Sequence, residues 1–144
     1  MTTNIPEIPV IRILIAEDDP DDQLMLQDAF REVCPQCELH FVGDGVALLD
    51  YLATGHATGQ QQLPGLLLLD LNMPLKDGRQ ALQDVRADPM FDGLPIVVLT
   101  TSNCEDDRRA CLSAGADDYR VKPASYTELL NIVTSLQPYW TNHD

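Results

Sequence analysis

Three short aliphatic runs stand out along the chain: Ile11 to Ala16, Leu66 to Leu69, and Ile96 to Leu99. None alternates apolar with polar residues, as a half-solvated strand does, so they read as strands buried on both faces of a parallel sheet. Two weaker runs, Glu38 to Val42 and Asp117 to Val121, bring the number of strands to five. Helical periodicity fills the intervals. The first helix opens at Asp19-Pro20, a capping residue followed by proline, with Asp21 and Asp22 in its first turn and an apolar stripe of Leu26, Phe30 and Val33. A second helix is expected over Val46 to Ala53. A third begins near Asp77, carries Ala81, Leu82 and Val85, and stops at Asp88-Pro89. A fourth starts with Glu105, Asp106 and Asp107 and ends at Gly115. The fifth opens with the capping box Ser125-x-x-Glu128 and stops at Pro138.

Strands and helices therefore alternate through five βα units. This order predicts an α/β fold with a right-handed, doubly wound parallel sheet. One domain is expected across residues 1–144, with a core over about 10–137 flanked by a short N-terminal arm and an aromatic tail. The single long connection, Thr54 to Pro64, is rich in Gly and Gln and reads as a surface loop.

Composition narrows the class. Hydrophobic residues make up 44% and charged residues 22%, the profile of a chain that folds around a core. The 23 acidic and nine basic side chains give a formal net charge of −14. Such a charge repels nucleic acid and anionic membranes, which leaves a protein as the expected partner. The N-terminus lacks a basic region followed by an apolar stretch, and the apolar runs are too short to span a bilayer. A cytoplasmic location is the corresponding expectation. Cys34, Cys37, Cys104 and Cys111 are then expected as reduced thiols. Cys34-Pro35-Gln36-Cys37 has redox or zinc spacing, but it closes a helix rather than opening one, and no second closely spaced pair completes a zinc site. His40, His56 and His143 have no ligand or catalytic company.

Sites in open parallel sheets form beyond the carboxyl ends of the strands. Here those ends deliver Glu17-Asp18-Asp19, Asp70, Thr100-Thr101 and Lys122-Pro123. Crowded carboxylates repel unless a cation sits among them, and oxygen ligands suit Mg²⁺. A lysine and a threonine opposite that metal suit the oxygens of a phosphoryl group, with a carboxylate as nucleophile. The pattern reads as aspartyl phosphorylation.

These motifs resemble the receiver domain of two-component response regulators over nearly the whole chain. The matching pieces are the strand ending in Glu17-Asp18-Asp19, the run Asp70-Leu71-Asn72-Met73-Pro74 with Gly78, the Thr100-Thr101-Ser102 strand end, and Tyr119 with Lys122-Pro123. The resemblance implies a flavodoxin-like sheet of order 2-1-3-4-5 with five helices. It makes Asp70 the phosphoacceptor. Glu17, Asp18 and Asp70 would hold Mg²⁺ together with the Asn72 carbonyl, Glu17 acting through water. The Thr100 hydroxyl and the Thr101 N–H would meet the phosphoryl group, and Lys122 would pair with one of its oxygens. Gly78 and Pro123 would be structural, the latter following a cis peptide bond. Tyr119 would be the aromatic that follows Thr100 and carries the change to the surface of the fourth helix, fifth strand and fifth helix. Its plainer reading is a core aromatic.

Two positions depart from the common pattern: Glu17 stands where many receivers have Asp, and Thr101 where many have a smaller residue able to shield the acyl phosphate less. Within the family the chain looks most like single-domain regulators paired with phytochrome-type histidine kinases, on Pro95 to Ser102, Asp88-Pro89 and Tyr139-Trp140. The expected donor is a sensor histidine kinase. Because the chain stops after the fifth helix, the expected output is binding of a downstream protein or relay to a phosphotransfer protein. Tyr139 and Trp140 would pack on the domain itself or contribute to a homodimer, which is the expected assembly. Two other functions share parts of this pattern. An aspartate-nucleophile phosphatase needs an acid two residues after the nucleophile, where Asn72 stands. A flavodoxin-like electron carrier would want a Ser/Thr/Gly-rich first loop, and here that loop is acidic.

Overall fold

A strand that is aliphatic on both sides is stable only when helices cover both faces of its sheet. The computed structural model, which describes residues 10–58 and 63–141, has that arrangement. Its elements follow in strict order: β1 (Ile11–Ala16), α1 (Pro20–Val33), β2 (Cys37–Val42), α2 (Gly45–Thr58), β3 (Leu66–Leu69), α3 (Gly78–Ala87), β4 (Ile96–Thr100), α4 (Glu105–Ser113), β5 (Asp118–Val121), α5 (Tyr126–Ser135) and α6 (Gln137–Thr141). A 3-10 turn at Pro89–Phe91 links α3 to β4. All pairings are parallel, and the sheet order is β2-β1-β3-β4-β5, as expected.

Alternation along each strand assigns the two faces. Leu14, Ala16, Leu67, Leu69, Ile96 and Val98 pack with Leu48 and Leu52 of α2 and with Ala81, Leu82 and Val85 of α3. Ile13, Ile15, Leu66, Leu68, Val97 and Leu99 pack with Leu26 and Phe30 of α1 and Leu129, Ile132 and Val133 of α5. Burying one such aliphatic side chain contributes about 1.5–3 kcal/mol, so these two layers dominate the stability. The helix starts are capped as their residue types dictate. The Asp19 side chain accepts from the N–H groups of Asp21 and Asp22, Asp77 from Gln80, and Ser125 Oγ from Glu128 N–H at 3.1 Å.

Several expectations need correction. A glycine inside a helix costs about 1 kcal/mol without having to end it, and α2 runs through Gly55 to Thr58 where a loop was expected. The rest of that expected loop up to residue 62, the N-terminal arm of residues 1–9, and His143 lie outside the described residues. α5 ends at Ser135, before Pro138. The chain turns at Leu136, and Pro138 lies in the first turn of α6, where its missing N–H costs nothing. α6 makes a sixth helix, and it seats Trp140 on this domain's own core, 2% exposed, with its ring 5.7 Å from that of Phe30. The Lys122–Pro123 peptide is trans, the isomer intrinsically favoured by about 0.5–1 kcal/mol; among the described residues no peptide is cis.

The cysteine pair is a further correction. Cys34 and Cys37 are joined as a disulfide, while Cys104 and Cys111 are free. The turn after α1 brings the pair together: Cys37 N–H donates to the Cys34 carbonyl at 3.0 Å, and the Cα atoms lie 5.5 Å apart, within the range a disulfide spans.

Candidate functional site

Three strand ends converge at one edge of the sheet. Glu17 follows β1 directly, and its N–H donates to the Val42 carbonyl at 2.9 Å, which carries the β1–β2 ladder one residue further. Asp70 follows β3, tied to β1 by its N–H on the Ala16 carbonyl at 3.0 Å. Lys122 follows β5, and its N–H donates to the Thr100 carbonyl at 2.7 Å. Backbone pairing thus fixes the starting point of each functional side chain.

The side chains then meet around one ammonium. Lys122 Nζ lies 2.6 Å from Glu17 Oε1, 2.7 Å from Asp22 Oδ2 and 3.0 Å from Asp70 Oδ2. An ammonium has three N–H donors, and three carboxylates occupy them. Glu17 is 2% exposed and Asp70 5%, whereas Asp18 is exposed. The second Glu17 oxygen accepts from Asp19 N–H at 3.0 Å, and Asp70 Oδ1 accepts from Asn72 N–H at 3.2 Å.

One lysine does not balance this much negative charge. Burial pushes the Glu17 carboxyl up to about 7; the Lys122 and Asp19 hydrogen bonds pull the other way, and the Asp70 charge reinforces the rise. Burial opposes the Lys122 ammonium, but its bonds to Asp22, Glu17 and Asp70 outweigh that and raise its pKa. Burial drives the first shift, with the Asp70 charge adding to it, and three carboxylates gathered on one ammonium drive the second. Glu17, Asp18 and Asp70 each offer an oxygen, and these atoms all lie within 4.8 Å of one another. An all-oxygen set with one exposed member, left short of positive charge, fits a hard divalent cation that keeps part of its water shell.

Gly78 is required by the same geometry. A Cβ there would stand 2.1 Å from the Asp70 carbonyl oxygen and 2.7 Å from Leu71 Cα, so any larger residue would push the α3 start off the β3 end. Leu75 allows the intervening turn by taking a left-handed φ of 65°.

Thr100 is fully buried at the end of β4, its Oγ1 accepting from Ser102 N–H at 3.4 Å, and Thr101 is exposed beside it. Among the described residues no hydrogen bond joins Thr100 to Asp70. Tyr119 is buried, and its hydroxyl donates to the Ser102 carbonyl at 2.8 Å. Ser102 Oγ in turn donates to Asp107 Oδ2 at 2.7 Å, and Asp107 is gripped by Arg79 through two bonds of 2.9 and 3.2 Å. The Arg79 guanidinium holds the Asp107 carboxyl below its ordinary range.

The structure thus unites Glu17, Asp18, Asp70 and Lys122 and places Thr100, Thr101 and Asn72 on their border. It adds Asp22, which in sequence reads only as a first-turn acid of α1. The available signal was its place in the first turn of α1, three residues after Asp19.

Known proteins give an independent comparison. Residues 13–134 match the family model described as the response regulator receiver domain. The chain is 33% identical over 128 residues to the response regulator Rcp1 of Synechocystis sp., covering 89% of this chain and 87% of that protein. It is 34% identical over 128 residues to a probable methanogenesis regulatory protein, FilR2, of Methanothrix harundinacea, covering 89% and 82%. Among solved structures, the phosphorylated cyanobacterial phytochrome response regulator RcpA superposes with a TM-score of 0.83 at 32% identity, covering 93% of this chain and 96% of the other. The Mn²⁺-bound form of Rcp1 superposes with a TM-score of 0.80 at 31% identity, with the same coverages.

Proposed function

This chain belongs to the response regulator receiver family, and on that premise we propose that it is a stand-alone phosphorylation switch, one receiver unit acting in the cytoplasm. The observation that carries this reading is the meeting of Glu17, Asp18 and Asp70 with Lys122 at the carboxyl edge of the sheet. The high coverage of Rcp1 and RcpA supports the stand-alone reading.

A carboxylate oxygen of Asp70 attacks the phosphorus of a phosphohistidine on a sensor kinase. The new O–P bond forms as the P–N bond breaks, and the imidazole nitrogen keeps the electron pair. Asp18 and Asp70, with the Asn72 carbonyl and with Glu17 through water, would hold Mg²⁺, which would neutralise charge on the transferring group. Lys122 leaves one of its three carboxylates to pair with a phosphoryl oxygen. Thr100 and the Thr101 N–H, at the end of the neighbouring strand β4, donate to the remaining oxygens. Tyr119, bonded to Ser102 beside them, follows Thr100.

Names of similar proteins suggest the partner: RcpA belongs to a cyanobacterial phytochrome system, so a phytochrome-type histidine kinase is the proposed donor. Output is the binding of a protein, by a homodimer of this chain, or relay of the group to a phosphotransfer protein.

The test is the intact mass of the protein after acetyl phosphate and Mg²⁺. We expect one phosphoryl group, absent from Asp70→Asn and from a metal-free control. If neither acetyl phosphate nor beryllofluoride with Mg²⁺ labels or binds the protein, the Asp70 mechanism is wrong.

A further inference from the structure

We propose that Cys34 and Cys37 form a thiol–disulfide exchange site whose state is felt by the C-terminal helix α6. The pair lies at the end of α1 and the start of β2. The β1 and β3 ends carrying Glu17 and Asp70 sit at the opposite edge of the parallel sheet.

Four observations separate this pair from an inert staple. First, a chain with two extensive core layers does not need a disulfide to fold, unlike small secreted domains. Second, the bond closes a loop of only two intervening residues, so it removes little entropy from the unfolded chain. Third, it is within reach: Pro35 and Gln36 are exposed and Cys37 is half-buried, although Cys34 is 3% exposed. Fourth, the turn does not depend on the disulfide. Cys34 N–H donates to the Phe30 carbonyl at 2.7 Å and Cys37 N–H to the Cys34 carbonyl at 3.0 Å. Those bonds keep the two thiols adjacent after reduction, so closure is intramolecular and reversible.

The chemistry balances with a thiol reductant. A thiolate attacks the more accessible Cys37 sulfur, and Cys34 leaves with the electron pair and takes a proton. A second thiolate then attacks the mixed disulfide, releasing the oxidised reductant and the Cys37 thiol. Two reductant thiols are oxidised to one disulfide, and the protein gains two hydrogens. Because Cys34 sits at the negative end of α1, a thiolate there gains nothing from the helix, which favours the disulfide over the dithiol.

The link to α6 runs through packing. Cys34 and Phe30 belong to the same buried cluster as Leu136 and Trp140, and Phe30 carries both the Cys34 backbone bond and the Trp140 ring contact. Reduction leaves the backbone turn in place but frees the buried Cys34 side chain to repack within that cluster, and the Phe30 ring that meets the indole repacks with it. Trp140 is the only tryptophan in the chain, so its emission reports this seat alone.

The experiment equilibrates the full chain in a series of oxidised and reduced glutathione buffers, then denatures it, alkylates it with N-ethylmaleimide and records intact mass. Of four cysteines, two are in the pair, which leaves Cys104 and Cys111. We expect two labels in oxidised buffers, four in reduced ones, a reversible midpoint between, and a change in Trp140 emission at the same midpoint. Cys34→Ser/Cys37→Ser should give two labels and flat emission throughout. Four labels in fully oxidised buffer, or two in fully reduced buffer, would overturn the exchange site. Flat emission across a clear labelling transition would overturn the coupling to α6.

Discussion

Glu17→Gln should stabilise the metal-free protein at alkaline pH. The Glu17 carboxyl is almost completely buried, and its pKa rises from 4.5 to about 7, chiefly through that burial. A carboxyl whose pKa is higher in the folded state binds a proton that the unfolded chain has already lost. Stability therefore falls as pH climbs from about 4.5 to about 7, and the full penalty is present above that window. A shift of about 2.5 units at about 1.36 kcal/mol each amounts to roughly 3 kcal/mol. Glutamine carries no charge, but it can offer its single oxygen to Lys122 or to Asp19 N–H, not to both. Losing one of those bonds costs about 1 kcal/mol, so the net gain is about 2 kcal/mol. With an unfolding entropy of about 2.1 cal/mol/K per residue, that gain raises Tm by roughly 7 °C. The assay is urea and thermal unfolding of both proteins in chelator at about pH 8 and about pH 4.5, where the variants should converge because Glu17 is then neutral. Saturating Mg²⁺, at about 100 times Kd, should stabilise the unmutated chain by about 2.7 kcal/mol and erase the advantage of the variant. A variant less stable at alkaline pH, or an advantage that ignores pH, would refute the assignment of Glu17 as an unbalanced buried charge.

Other positions make separate claims. Asp22→Asn frees one Lys122 donor and removes a charge that repels an incoming phosphoryl group, a change of about 1 kcal/mol or about fivefold faster labelling by acetyl phosphate; an unchanged or slower initial rate by intact mass would sink this role. Gly78→Ala must displace backbone at Asp70, so denaturant unfolding should show a loss of about 1–3 kcal/mol together with weaker Mg²⁺ binding. Gly43→Ala, where a Cβ meets nothing within 4 Å, should stay within about 0.5 kcal/mol. Trp140→Ala should cost about 3–5 kcal/mol, measured the same way, because α6 seats this ring in the core; a near-neutral result would mean that α6 does not dock.

The strands are legible in the sequence because a run such as Leu66 to Leu69 leaves no wet face, and only a sheet covered on both sides accepts it. The main site residues are legible for a related reason. Each stands immediately after an aliphatic run, and a parallel sheet brings those positions to one edge. What escapes sequence reading depends on contacts between distant elements or on turn geometry. Asp22 is 100 residues from Lys122, and alone it is an ordinary helix-start acid. Pro138 looks like a stop when read along the chain, whereas beside Leu136 it begins α6. The spacing of Cys34 and Cys37 is compatible with thiols or a disulfide. The choice rests on a turn held by the Phe30 and Cys34 carbonyls, which sequence does not display.

On the proposed reading, Ser102 connects the phosphorylation chemistry to the outer surface. Its N–H donates to Thr100 Oγ1, its carbonyl accepts from the Tyr119 hydroxyl, and its own hydroxyl donates to Asp107. Arg79 of α3 anchors Asp107 of α4 through a forked pair, so three elements share this one residue. A phosphoryl group on Asp70 draws the Thr100 hydroxyl away from Ser102 N–H. That bond, at 3.4 Å, is the weakest of the three and the first to yield. Ser102 is then held by Tyr119, by Asp107 and by the Cys104 N–H that donates to its hydroxyl at 3.3 Å, all on the side of α4 and β5. A displacement at the site must therefore either break the Tyr119 bond or move α4 with its Arg79 partner. Because the Arg79–Asp107 pair is charge-assisted and bidentate while the Tyr119 bond is neutral and single, the Tyr119 bond is the one that gives way.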